Sequence, residues 1–216
     1  MMNKDQKLIL LNVIFASALV VANVIAGKLV MFGENFTVPA AVVVYAVTFL
    51  ITDIVHENYG KEQAKQTIIF GFIAQIFASI MIYFGQLLPV APFAAESQAA
   101  YETLLGQNAR FVLASLAAYL SSQFVDVFVF STLKKLTQTR FKWLRNNLST
   151  AISQLIDTMV FITIAFIGNV PSLWVMILSQ YVIKLGIAVL DTPIFYLLTR
   201  KNRSQKQTTQ PVRATS

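Results

Sequence analysis

A chain of 216 residues that is 56% hydrophobic and only 12% charged is not a soluble domain, in which about a quarter of residues carry charge. With no cysteine it excludes disulfides and thiolate metal sites, and one histidine, His56, leaves too few ligands for a histidine-built metal site. The net charge of +7 points to no nucleic-acid partner, because the basic residues alternate with apolar runs instead of forming one patch.

The apolar runs are about 20 residues long, the length of helix that crosses a bilayer. Hydropathy predicts six spans: Leu8–Ala26, Pro39–Val55, Thr67–Leu88, Arg110–Phe130, Ser149–Ile167 and Leu173–Leu198. The second is short and is open to extension past His56. The first has lysines before it and an Ala16-Ser17-Ala18 triplet, but its apolar run continues beyond the triplet, so it is read as a retained span and not a cleaved leader. Pro39, Pro89, Pro92 and Pro171 fall at or between span ends, whereas Pro193 lies within the sixth span and is expected to kink it. The loop from Pro89 to Ala109 carries Glu96 and Glu102 and is read as a short surface helix or a lid.

The basic residues fix an expected orientation. Lys4, Lys7, Lys61, Lys65, the cluster from Lys134 to Arg145 and the tail from Arg200 to Arg213 all fall on one side under six spans; only Lys28, Arg110 and Lys184 fall elsewhere. The positive-inside rule makes that side, and both termini, cytoplasmic. The expected fold is therefore an all-α integral membrane protein, a compact bundle of six transmembrane helices over residues 1–201, in the cell (inner) membrane. A disordered basic tail over residues 202–216 follows.

Within the apolar runs stand Asp53, Asp126, Asp157, Asp191 and Lys184. A charge in hydrocarbon costs several kcal/mol, so such residues face a cavity or a partner. The fourth and fifth spans share a pattern. Ser122-Gln123-Phe124-Val125-Asp126 and Ser153-Gln154-Leu155-Ile156-Asp157 each place Gln and Asp three apart on one helical face. On the sixth span Gln180, Lys184 and Asp191 lie along one stripe, with Tyr181 and Thr192 close to it. Asn23 and Gln75 add neutral amides to the first and third spans. The blander alternatives stay open at this point. Asp53 and Asp126 sit within two turns of a span end and can reach headgroups, Lys184 can form a purely structural ion pair, and Asn23 and Gln75 can act as interhelical glue. Ala18, Ala22 and Ala26, followed by Gly27, form a small-residue stripe that suits either packing inside the bundle or docking of a separate subunit.

The ordered set resembles the queuosine precursor transporter family, also called the vitamin uptake transporter family. The resemblance rests on Thr52-Asp53-Ile54-Val55-His56-Glu57-Asn58-Tyr59-Gly60-Lys61, on Ser122-Gln123-Phe124-Val125-Asp126, on Asp157, and on Tyr181, Lys184, Thr192 and Pro193 before the basic tail. It covers about residues 8 to 203. One departure is that Ala188 stands where many members carry an acidic residue one turn after the lysine, and Asp191 lies one turn further. The resemblance implies uptake of a 7-deazaguanine: the cyano or aminomethyl compound, or queuine. A carboxylate accepts the two donors of a guanine-like edge, and glutamine amides serve the rest. The binding set so implied is Gln123, Asp126, Gln154, Asp157, Gln180 and Lys184, with Asp53, Asp191 and Asn23 as further members. An aminomethyl group would add a positive charge for a second aspartate to balance. No cofactor is expected.

The expected partners are the small-molecule substrate and the lipid bilayer, with a homodimer or a separate ATPase module left open. No GxxxxGK[ST] loop is present, so two modes stand: a solitary transporter, or the substrate-binding subunit of an ATP-driven vitamin-type system. A third reading, an intramembrane enzyme with an Asp126–Asp157 dyad, is disfavoured because the Tyr-Asp and Gly-x-Gly-Asp pairs of aspartyl intramembrane proteases are missing. A fourth reading is a scaffold that uses its polar face to bind another membrane protein.

Overall fold

The computed structural model describes residues 3–33, 36–136 and 142–187. In chain order they form α1 (Lys4–Ile25), a hairpin of β1 (Leu29–Phe32) and β2 (Phe36–Pro39), α2 (Ala41–Tyr59), α3 (Lys61–Leu87), a single 3-10 turn at Pro92–Ala94, α4 (Ala95–Leu105), α5 (Asn108–Leu136), α6 (Lys142–Phe166) and α7 (Leu173–Ile187). Five of the helical segments, containing α1, α2, α3, α5 and α6, are long and apolar enough to cross a membrane, and α7 is a shorter apolar helix. The sixth predicted span continues past Ile187, so its Asp191, Thr192 and Pro193, like the tail, lie outside the described residues.

The helices start and stop for local reasons. Asn3 caps α1 reciprocally: its side chain accepts from the Gln6 amide at 2.7 Å, and the Gln6 side chain accepts from the Asn3 amide at 3.0 Å. Gly60 ends α2 and begins α3 with φ 93° and ψ 169°, a backbone region essentially restricted to glycine, so the chain reverses there without a loop. At the other end of α2 the hairpin pairs Leu29 with Pro39 and Phe32 with Phe36, and Val38 and Pro39 are fully buried. The stretch between Pro89 and Ala109 takes the surface-helix form: α4 has no buried residue.

α5 and α6 run antiparallel in close contact. Arg110, near the start of α5, closes the far end of α6: its Nε donates to the Ile164 carbonyl at 2.6 Å and its Nη2 to the Ile167 carbonyl at 2.8 Å. Cations are favourable at helix C-termini, where carbonyls lack intrahelical donors, so a basic residue outside the charge alternation has a structural task.

Two apolar clusters hold the bundle. One joins Ala22, Ala26, Ala41, Phe111, Ala114, Ala118, Phe161, Ile162, Ala165, Phe166, Met176 and Ile177. The other joins Phe15, Leu19, Ile51, Val55 and Ala64. Ala22 and Ala26 are buried in the first cluster, so this part of the small-residue stripe packs inside the bundle and is not left as a docking face. The outward surface is apolar too, with Ile69, Ile73 and Phe77 on α3 and Leu113, Leu120, Phe124 and Val127 on α5 exposed, as a lipid-facing bundle requires.

α1 and α3 approach each other most closely at Gly71, where an added Cβ would lie 2.7 Å from Leu19 Cδ1 and 2.8 Å from Phe15 Cδ1. Gly71→Val is therefore expected to force the helices apart and to destabilise the protein by about 1–3 kcal/mol, the usual range for overpacking. A lowered melting temperature of the purified protein in detergent checks this, and a wild-type melt would rule out the close α1–α3 contact.

Candidate functional site

A cavity of about 260 Å³ lies between the two clusters, bounded by Phe15 and Leu19 from one and by Ala118 and Phe161 from the other. It is slightly below the roughly 300–1,000 Å³ of typical ligand pockets, which suits one small molecule. Part of the lining is aromatic: Phe15, Phe49, Phe72, Tyr119 and Phe161, with the Phe72 and Tyr119 ring centroids 4.8 Å apart. The polar part comes chiefly from α5, α6 and α7: Gln123, Gln154, Asp157, Gln180 and Lys184.

The polar side is organised by an ion pair. Lys184 Nζ lies 2.7 Å from Asp157 Oδ2 and donates at 3.1 Å to Thr158 Oγ1. The Lys184 side chain is 9% exposed and that of Asp157 24%, so the lysine is sequestered while part of the carboxylate still faces the cavity. Thr158 is itself held, donating to the Gln154 carbonyl at 2.9 Å. A second tie between α7 and α6, from the Tyr181 hydroxyl to the Ala151 carbonyl at 3.1 Å, fixes the rotation of α7. Gln180, one turn before Lys184, is 2% exposed and its Oε1 has no hydrogen-bond partner among the described residues. A buried unpaired acceptor is costly and is a natural point for a ligand donor.

Helical spacing alone does not decide which side chains reach the cavity. Gln154 and Asp157 line it together, as Gln and Asp three apart on one face should. In α5, Gln123 lines it and Asp126 does not: Asp126 lies along the α5–α6 seam, where Ser153 Oγ donates to its Oδ1 at 3.5 Å. The serine of one motif thus meets the aspartate of the other. Asp53 is exposed on α2 and is not among the lining residues, whereas its neighbour Thr52 is. Asn23 is buried beside the cavity: its Nδ2 donates to the Leu19 carbonyl at 3.1 Å, and its Oδ1 accepts from Ser115 Oγ at 3.3 Å. Gln75 is buried with neither end of its amide paired among the described residues, and does not line the cavity.

Among the lining residues, Tyr45, Thr48 and Ser115 were not singled out in the sequence, whereas Thr52 and Ser122 stood in its motifs. The Tyr45 hydroxyl lies 3.2 Å from Ser115 Oγ, and its ring meets Phe161 edge-on at 6.5 Å. Thr48, Thr52 and Ser122 add hydroxyls, each already donating to a backbone carbonyl of its own helix. Isolated hydroxyl and aromatic residues are common in membrane helices, so they give no signal of their own. Their spacing with known cavity residues does: Tyr45, Thr48 and Thr52 recur at helical intervals on one face of α2. Among the described residues no group of His, Cys, Asp and Glu is placed to hold a metal ion.

The arrangement is a small, partly open site lined by aromatic rings, amides and one carboxylate, which offers both apolar contact and hydrogen bonding to a small molecule. Residues 39–198 match the family model described as "Putative vitamin uptake transporter". The chain is 36% identical over 157 residues to a Bacillus subtilis protein named "Probable queuosine precursor transporter", covering 71% of this chain and 68% of that protein. It is 31% identical over 121 residues to a Haemophilus influenzae protein of the same name, covering 55% of this chain and 47% of that relative. No solved structure matches the chain. A family match over most of the length, with a cavity inside a bundle of apolar helices, makes this a multi-pass membrane protein of a transporter and not an enzyme family: the chain belongs to the vitamin uptake transporter family.

Proposed function

We propose that this protein carries a queuosine precursor, a 7-deazaguanine base, across the cell (inner) membrane into the cytoplasm, as a solitary transporter. The observation that carries the reading is the Asp157–Lys184 pair in the wall of a cavity that aromatic rings also line. The names of the Bacillus subtilis and Haemophilus influenzae relatives supply the ligand class, and the cavity chemistry supports it. A guanine-type edge carries a ring N–H and an exocyclic amine side by side. Asp157 is the acceptor for that edge, Gln180 and Gln154 complete the hydrogen bonding, and Gln123 is a further lining amide. The bicyclic ring stacks against Phe72 and Tyr119.

Six spans with both termini in the cytoplasm fit this reading. α7 is continued by the apolar run to Leu198, and fourteen of the seventeen basic residues then share the cytoplasmic side. Burial of Ala22 and Ala26 inside the bundle favours the solitary mode over docking of an ATPase module through that stripe.

Two experiments check the site. In bacteria that neither make nor import the precursors but keep the downstream tRNA-modifying enzymes, the chain should restore queuosine in tRNA when a deazaguanine is supplied at low concentration. Asp157→Asn should reduce uptake by about 100-fold or more at unchanged membrane level, the loss of roughly 3 kcal/mol from a charged hydrogen-bond acceptor. Normal uptake by that variant would remove Asp157 from the site. In detergent, Lys184→Met and Asp157→Asn should each lower stability toward the lower end of the roughly 3–5 kcal/mol seen when one partner of a buried pair is removed. The double variant should lose much less than the sum. Additive losses would mean the pair is not coupled in the folded protein.

A further inference from the structure

The described residues that line the cavity balance in charge. Among the described residues that line it, Asp157 is the one carboxylate and Lys184 the one cation, and they are already joined at 2.7 Å. Asp53 and Asp126 do not line the cavity, so neither balances a second positive charge there. Lys184 is not loosely placed. It is held by Asp157 Oδ2 and Thr158 Oγ1, and Thr158 is held by the Gln154 carbonyl. The lysine is nearly enclosed, whereas the carboxylate is open on the cavity side.

Resting on the transport reading above, we propose that Lys184 makes this site selective for neutral bases and sets it against cationic ones. A neutral base can donate to Asp157 Oδ1, which takes no hydrogen bond among the described residues, and to the unpaired Gln180 Oε1, without disturbing the ion pair. An alkylammonium group has no such place. It must leave water for a cavity whose carboxylate is already neutralised, and it must sit within reach of a second, fixed cation. The faces of Phe15, Phe49, Phe72 and Phe161 attract cations, but such contacts return only part of the hydration that a charge loses. The neutral cyano-deazaguanine is therefore the better substrate, and the aminomethyl compound, protonated at neutral pH, the poorer one. Lys184 acts on selectivity through the charge of Asp157 and needs no contact with the ligand.

The test is initial uptake of each isotopically labelled base into cells carrying the protein in their membrane, read by mass spectrometry of the cell contents. In the wild type the cyano compound should reach half-maximal uptake at about one-tenth the concentration the aminomethyl compound needs, or lower, since a charge must be desolvated in one case only. Lys184→Met leaves Asp157 as an unbalanced anion and should shift the ratio toward the cationic base by about tenfold or more. Lys184→Gln, which keeps a neutral donor beside Asp157, is the second variant, and its ratio should move in the same direction. Equal uptake of both bases by the wild type, or preference for the cationic one, overturns the selectivity while leaving transport standing. A wild-type preference that neither variant moves overturns the role of Lys184. Uptake of neither base by wild-type protein present in the membrane overturns the transport reading and this proposal with it.

Discussion

A lysine enclosed among apolar helices has to be matched by an anion, and the rest of the site depends on how that requirement is met. Lys184 meets it with Asp157, on the neighbouring helix, and with the hydroxyl of Thr158. This single contact sets the rotation and height of α7 against α6, and the Tyr181 hydroxyl on the Ala151 carbonyl repeats the constraint nearly one turn away. With α7 so placed, Gln180 faces the cavity, because it lies one turn from Lys184 on the same stripe. The pair does not explain itself by stability: apolar side chains of similar volume would hold two helices together about as well, since ion desolvation offsets most of the attraction. What charged groups add is a polar wall in a place where lipid-facing helices would otherwise present only hydrocarbon.

The cavity exists because packing changes character across the bundle. Many of the direct helix contacts use small residues: Ala22, Ala26, Ala41, Ala114, Ala118 and Ala165 in one cluster, alongside its phenylalanines, and Gly71 against Phe15 and Leu19 beside the other. Apolar side chains gain little from leaving lipid for another helix, so close backbone approach is what makes contact favourable there. Around the cavity Phe72, Tyr119, Tyr45 and Phe161 line the gap without filling it, their rings tilted against one another. These rings give the space much of its apolar lining.

How far this was legible in the sequence follows from the range over which each signal acts. The spans were readable because bilayer thickness imposes a length that no soluble fold needs, and the predicted starts and ends of α1, α3, α5 and α6 lie within a turn or two of the observed helices. Gln154 and Asp157 were readable as one polar face because a helix carries its own period. Properties that belong to pairs of helices were not readable. The offset of α5 against α6 places Asp126 opposite Ser153, within the seam, and nothing in either helix alone states that offset. The aromatic wall was hidden for a different reason. On helices that are apolar nearly all round, Phe49 and Phe72 look the same as the lipid-facing Phe77 and Phe124. The hairpin of Leu29–Phe32 and Phe36–Pro39 went unassigned because each strand has only four residues, too short for a periodic signal.

The unpaired groups on the polar side specify the ligand more narrowly than the volume does. Most lining polar atoms already have partners: Thr48, Thr52 and Ser122 donate within their own helices, the Tyr45 hydroxyl meets Ser115, and Lys184 is held by Asp157 and Thr158. Among the described residues, the second oxygen of Asp157 and the side-chain oxygen of Gln180 are two lining acceptors without a donor. They belong to neighbouring helices that the ion pair holds together. A ligand rich in acceptors would add to the imbalance, and an apolar one would leave both oxygens desolvated at a cost of about 1–3 kcal/mol each. A flat molecule with two donors on one edge satisfies both at once. Adjacent ring N–H and amino groups, the pattern of the guanine-type base proposed above, present two such donors on one edge.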